Sequence, residues 1–226
     1  MDSYDPATVF SSIDSRGRYA YGNQPHAAVW NLARFAETLL SIIDPSSDRA
    51  VELAGEVIAT FSVQFSDQWL AGIRRKLGLS ALEDGDSALA GDLLDTMQRN
   101  QADFTLTFRR LCEAAESEEG DAGVGALFAN PQEYRQWAAR WRARLTRESL
   151  EPRARAEQMR RVNPAFIPRN HRIEQVIRAA VEREDFGPFA ELSAVLSQPY
   201  QAQQIFESYG DPPQPGERVL RTFCGT

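Results

Sequence analysis

Apolar residues return at every fourth position through Leu53, Val57, Phe61, Phe65, Trp69 and Ile73, and this recurrence constrains the chain more than any other feature. That period belongs to a helix with one buried face, and it predicts a single long helix from about Asp48 to Leu77, with Gly78 as the glycine that ends it. Comparable spacing predicts a helix from about His26 to Ile43, stopped by Asp44-Pro45, and a third carrying Leu89, Leu93, Met97, Phe104, Phe108, Leu111 and Cys112. Asn130-Pro131-Gln132-Glu133 reads as a capping box opening a helix whose buried side holds Tyr134, Trp137, Trp141 and Leu145. A short helix over Arg153 to Arg161, one N-capped by Asn170, and one through Phe189 to Leu196 complete the set. No sustained period-two run bounded by hairpin turns occurs, so the expected fold class is all-α.

One stretch departs from this pattern. Gly17-Arg18-Tyr19-Ala20-Tyr21-Gly22-Asn23-Gln24-Pro25 concentrates glycine, aromatic, amide and cationic side chains just before the first helix. Pro25 suits a first helical turn, and the Asn23 and Gln24 amides could accept from the unpaired amides there. On composition the stretch reads as a well-capped helix start on a packed loop, although glycine and aromatic residues serve chemistry as readily as structure. The Asn163 to Asn170 segment, with two prolines, should run extended, and Glu116 to Gly123, charged and without large apolar residues, should be a mobile surface loop.

The 226 residues, 42% of them hydrophobic, can bury a sizeable core. No apolar run approaches the roughly 20 residues of a membrane span, and the first residues lack the pattern of a secretory signal. Two cysteines far apart do not make a disulfide framework, so a reducing, cytoplasmic setting is expected, with no membrane partner. A net charge of -7 argues against nucleic acid as a partner. The charge is uneven, because eleven arginines face three glutamates between Arg135 and Arg172. That stretch is either a solvated face or a surface for phosphate or an acidic partner. Trp137 and Trp141 within it read as core residues rather than a stacking platform. With only His26 and His171, no histidine metal site is expected. Asp185-Phe186-Gly187 has the letters of a kinase metal triplet but lacks a preceding His-Arg-Asp loop and a glycine-rich turn, and reads as a loop between helices.

The wording of the Gly17 to Pro25 stretch, followed by Trp30-Asn31-Leu32, resembles the selenoprotein O (SelO/YdiU) family of protein adenylyltransferases. Further runs resemble the same family in order: Lys76-Leu77-Gly78-Leu79, Ala102-Asp103-Phe104-Thr105 with Phe108-Arg109, Asn163-Pro164 through His171, Pro199-Tyr200, and Phe223-Cys224-Gly225-Thr226. The resemblance implies the C-terminal helical part of a protein-kinase-like fold that transfers AMP from ATP to protein hydroxyls. It also implies that the family's nucleotide-binding glycines, lysine, catalytic run and Asp-Tyr-Gly metal segment precede Met1.

On that basis the chain alone is expected to bind no cofactor and to be inactive, with no catalytic residue and no metal ligand of its own. ATP and Mg²⁺ are implied only for the full-length family. The implied partners are protein substrates and the missing N-terminal nucleotide-binding part. Residues 1–25 are then a lead-in and active-site-proximal loop, with Arg18, Tyr19, Asn23 and Gln24 as candidates for holding that loop or the acceptor protein. Residues 26–226 form a helical lobe with its acidic loop near 116–125 and an extended tail over 210–226. Cys224 is similar in position to the family's selenocysteine or cysteine and is the redox candidate. An internal disulfide is not expected, since Cys112 should be buried in a helix and Phe10-Ser11-Ser12 has no cysteine. The alternative is a non-enzymatic helical protein-interaction module from a truncated gene, engaging a partner through the arginine face or the surface left by the missing lobe; Val9, Phe10 and Ile13 are expected to be exposed where that missing part would cover them.

Overall fold

The computed structural model describes residues 1–223 and is all-α; among these residues the only strand-like feature is an isolated antiparallel bridge between Ser3 and Asp103. None of its helices is long and apolar enough to cross a membrane. The chain divides into two compact units. Of the described residues, the smaller comprises Asp5–Ala71 with 221–223, and the larger comprises Met1–Tyr4 with Gly72–Leu220.

The smaller unit is a helical hairpin. Helix α1 (Gln24–Ile43) ends at Asp44, whose Oδ1 accepts from the Ser46 amide at 2.7 Å, and α2 (Ser47–Ala59) returns along it. The expected single helix from Asp48 to Leu77 is broken. Thr60 ends α2, its amide and its hydroxyl both donating to the Val57 carbonyl, and α3 (Phe61–Lys76) starts afresh. A four-residue apolar spacing runs through this break unchanged, whereas a threonine bonded back to its own turn competes with the helical ladder. Within this unit the buried apolar side chains are Ala20, Ala27 and Ala50.

The larger unit begins in the last turn of α3. The Leu79 amide donates to the Arg74 carbonyl and that of Gly78 to Arg75, the paired bonds of a Schellman ending. Gly78 sits at φ +74°, and a Cβ there would meet Arg155 and Met159 at 2.8 Å, so glycine is required on two grounds.

The helices that follow are α4 (Asp86–Asn100), α5 (Phe104–Glu116), α6 (Asp121–Gly125), α7 (Pro131–Leu145), α8 (Pro152–Arg160), α9 (Asn170–Arg183) and α10 (Gly187–Ser197). Helix α5 packs on α8, α4 on α7, and α9 on α10. Trp137 and Trp141 stack at 5.5 Å in the centre, each indole donating to a backbone carbonyl, of Leu89 and Leu77. They are core residues, as their helical spacing predicts.

The third expected helix is also two. Gln101 adopts a left-handed conformation that closes α4, and the Asp103 carboxylate caps α5 by accepting from the Leu106 amide at 2.8 Å. Asn130 caps α7 through Gln132 rather than in a reciprocal box: its own amide N–H donates to Asn100, and Glu133 accepts from the side chains of Arg99, Asn100 and Asn130. Arg169, not Asn170, occupies the N-cap position of α9.

The acidic stretch near 116–125 is folded. Glu118–Gly120 forms a 3-10 turn capped by Ser117 and leads into α6, whose Asp121 accepts from the Tyr134 hydroxyl at 2.6 Å and from Arg142. Tertiary partners supply what local composition lacks. In the tail, Gln204–Gly210 and Pro215–Glu217 are 3-10 turns. Asp185-Phe186 lies between α9 and α10, as its context predicts.

Candidate functional site

The loop before α1 is built around Asp14. Its two carboxylate oxygens accept from the Arg18 and Tyr19 amides, each at 2.8 Å, and its carbonyl accepts from Gly17, which turns the chain at φ +65°. The Tyr21 and Gly22 amides donate to the carbonyls of Thr8 and Pro6, tying the loop to the lead-in. Pro25 lies in the first turn of α1, as expected. Asn23 does not cap that helix; its side-chain amide instead donates to the Gly17 carbonyl at 2.9 Å, closing the loop on itself. A carbonyl six residues back satisfies the amide at no cost to the backbone, because the 3-10 turn Tyr21–Asn23 already leads smoothly into the helix.

Among the four candidates, Arg18 and Tyr19 stand together. The Arg18 guanidinium lies 4.1 Å from the centre of the Trp30 ring and 5.4 Å from that of Tyr19, and Arg34 approaches the other member of the cluster, Trp30, at 5.5 Å. Tyr19 and Trp30 are each about half exposed, at 48% and 49%. Asn23 serves the loop's own geometry, and Gln24 is exposed at the start of α1. Asp14 and Trp30 are the members that sequence reasoning missed. An acidic residue four positions before Arg18, and an aromatic in the next helix at the end of the motif, were the available signals.

The Asn163 to His171 segment does different work. Arg169 is 2% exposed and bonds Asp103, Asp2 and the Gly210 carbonyl, so it fastens the N-terminal residues, the start of α5 and the 3-10 turn Gln204–Gly210 to one point. Asn163, fully buried, donates to the Lys76 carbonyl and to Cys112 Sγ and accepts from Lys76 Nζ. The Lys76 ammonium also donates to the Val162 carbonyl at 3.0 Å, just past the end of α8, where a cation is favoured. Burial lowers its pKa. Burial likewise raises the pKa of Cys112, whose thiol lies inside α5 with no exposure. His171 is 3% exposed, neither ring nitrogen has a hydrogen-bond partner, and burial lowers its pKa. Cys224 lies outside the described residues.

The arginine-rich stretch is largely neutralised within the larger unit. Arg144 sits between Asp86, Glu83 and Glu148; Arg140 pairs with Asp92, Arg142 with Asp121, Arg147 with Glu83 and Arg160 with Glu116. Arg155 spends its guanidinium on the Leu145 and Leu150 carbonyls. The acidic surplus elsewhere in the sequence is therefore the partner of the basic surplus here. Among the described residues no group of three or more His, Cys, Asp or Glu side chains could hold a metal ion.

The family model described as "Protein adenylyltransferase SelO" matches residues 1–197. The chain is 56% identical to a protein nucleotidyltransferase YdiU of Rhizobium rhizogenes and 55% identical to one of Rhizobium etli, over all of its own length and 45% of each relative. A YdiU protein of Methylorubrum extorquens is 52% identical, with 47% of it covered. The chain thus spans about half the length of the relatives it matches. Matched by the family model over most of its residues and by these relatives over all of them, the chain belongs to the SelO family of protein nucleotidyltransferases.

Proposed function

We propose that this chain is the C-terminal helical portion of a SelO-type, kinase-like protein adenylyltransferase, which moves AMP from ATP onto Ser, Thr or Tyr hydroxyls of cytoplasmic proteins, and that the chain alone is inactive. The observation that carries the reading is full coverage of this chain against relatives about twice as long. Transfer of a nucleotidyl group rests on positioning and on neutralising phosphate charge with metal and cationic groups. Cations that such a site would need are largely committed elsewhere: Lys76, the only lysine, donates to the Val162 carbonyl and the Asn163 side chain, and much of the arginine stretch is paired with carboxylates. No step of the reaction is assigned to the described residues.

In this reading the Gly17 to Pro25 loop lies beside the reacting centre of the complete protein. Arg18 and Tyr19 face outward to hold the acceptor, Asn23 keeps the loop's shape, and Gln24 presents its amide at the start of α1. A redox role for Cys224 is proposed on the family resemblance alone. The purified chain, incubated with Mg²⁺, labelled ATP and an acceptor protein, is expected to transfer no label, while the full-length Rhizobium rhizogenes relative does. Robust labelling by the chain alone would overturn the assignment.

The second reading, a non-enzymatic interaction module, is favoured by the apolar surface left open on the smaller unit. Nucleotide-binding and metal motifs encoded in frame upstream of Met1 would decide for the enzyme, and an unrelated upstream sequence for the module.

A further inference from the structure

Helix α1 runs for about 30 Å, on a rise of 1.5 Å per residue, and carries only two charged side chains, Arg34 and Glu37, which pair with each other at 2.6 Å. Such a helix belongs in the middle of a protein, with apolar neighbours on several sides. Here its main helical neighbour within its unit is α2, and Ala27 is its one buried residue.

Between α1, α2 and the start of α3 lies a groove of about 440 Å³ lined by Leu32, Phe35, Leu39, Leu53, Val57 and Phe61. Phe35 is 61% exposed and Val57 70%. Most of the exposed large apolar side chains of the described chain lie between Val9 and Phe65. An apolar patch of this kind, on a unit whose own core amounts to three alanines, marks a surface made to be covered.

From this we infer that the α1–α2 groove seats an apolar helix face from the half of the SelO family chain that this sequence does not include. The inference rests on the reading of the chain as part of a longer enzyme, and it names the surface through which the two parts join. The length of the relatives argues for this occupant over a second copy: more than half of each relative lies outside the match, and that remainder is held next to the groove by its own chain at high effective concentration. A second copy has no such advantage. The rim of the groove is nearly free of charge on the α1 side, so selectivity comes from shape and from the helical spacing of the inserted side chains.

Hydrogen exchange on this chain alone and on the full-length Rhizobium rhizogenes relative tests the assignment. Amides in the segment matching residues 32–64 are expected to exchange about 100-fold more slowly in the full-length protein, whereas those matching α9 and α10 change by less than about threefold. In the full-length protein, Val57→Glu at the matched position should abolish that protection with helicity retained by circular dichroism, and Val181→Glu on α9 should leave it intact. Equal exchange of the groove segment in both proteins would overturn the inference. So would self-association of the chain alone, seen by sedimentation, that Val57→Glu abolishes, since the groove would then serve a second copy. Protection without AMP transfer by the relative would leave the groove assignment standing and defeat the proposed function, and transfer without protection would do the reverse.

Discussion

The two units use similar amino acids to different ends. The larger buries Trp137, Trp141, Tyr134, Phe108 and Leu111 to 1% exposure or less and holds its charges in networks such as Arg144 with Asp86 and Glu148. The smaller has tryptophan, phenylalanine, isoleucine and leucine in plenty, yet leaves Trp30, Phe35, Ile42, Val57 and Phe65 in contact with solvent. Apolar content alone therefore does not make a core. Two helices, most of α3 and an entry loop have too few faces to enclose one another, whereas the seven helices α4 to α10 do.

The sharpest way to break this contrast is to remove one large apolar residue from each unit. Trp141→Ala deletes a stacked ring and the donor to Leu77, and a loss of about 4 kcal/mol is expected in denaturant unfolding. Phe35→Ala should cost less than about 1 kcal/mol, because the ring is already mostly in water. Equal costs would show that the smaller unit has a core of its own.

Next in size is Arg169→Met, which leaves Asp103 and Asp2 without their shared cation; about 3 kcal/mol should be lost, measured the same way. A change near zero would mean that the N-terminal residues are not held at that point.

A smaller effect concerns pH. His171 has its pKa lowered chiefly by burial and further by Arg172 and Arg169, against the opposing pull of Glu217 and Asp2. Because the folded form binds a proton less readily than the unfolded form, whose imidazole titrates near about 6.5, its contribution to stability is intact above that pH and falls away as the solution is acidified below it. Thermal melts between pH 7.5 and pH 5 should show a decline that His171→Asn reduces; an unchanged slope would assign the decline to other groups.

The smallest expected effect is Arg18→Ala, about 0.5 kcal/mol from the exposed contact with Trp30. In the full-length relative the matched change should lower AMP transfer by a larger factor than it lowers stability. Proportionate losses would make the loop a structural tie in both contexts.

Legibility in the sequence followed the range of the interactions. Helix identity, the glycine ending at Gly78, the buried tryptophan face and the internal position of Cys112 were readable because each depends on neighbours within a turn or two. The helix breaks at Thr60 and Gln101 were not, since apolar periodicity continues across them while the backbone bonds that interrupt it are set by single residues. The loop candidates were readable as a group, but the inward turn of Asn23 and the Arg18–Trp30 contact required the chain to be folded. The folding of the acidic stretch was missed because Tyr134 and Arg142, which hold Asp121, are distant in sequence.

By itself, then, the sequence determined an all-α protein, where most helices begin and end, and membership in the SelO family, because periodicity, capping and motif wording are local and linear. Only the tertiary structure decided that the arginine surplus is spent internally, that Arg169 is a buried anchor, and that α1 lies half uncovered. Charge pairing and burial depend on which distant residues arrive beside one another, and no linear spacing encodes that.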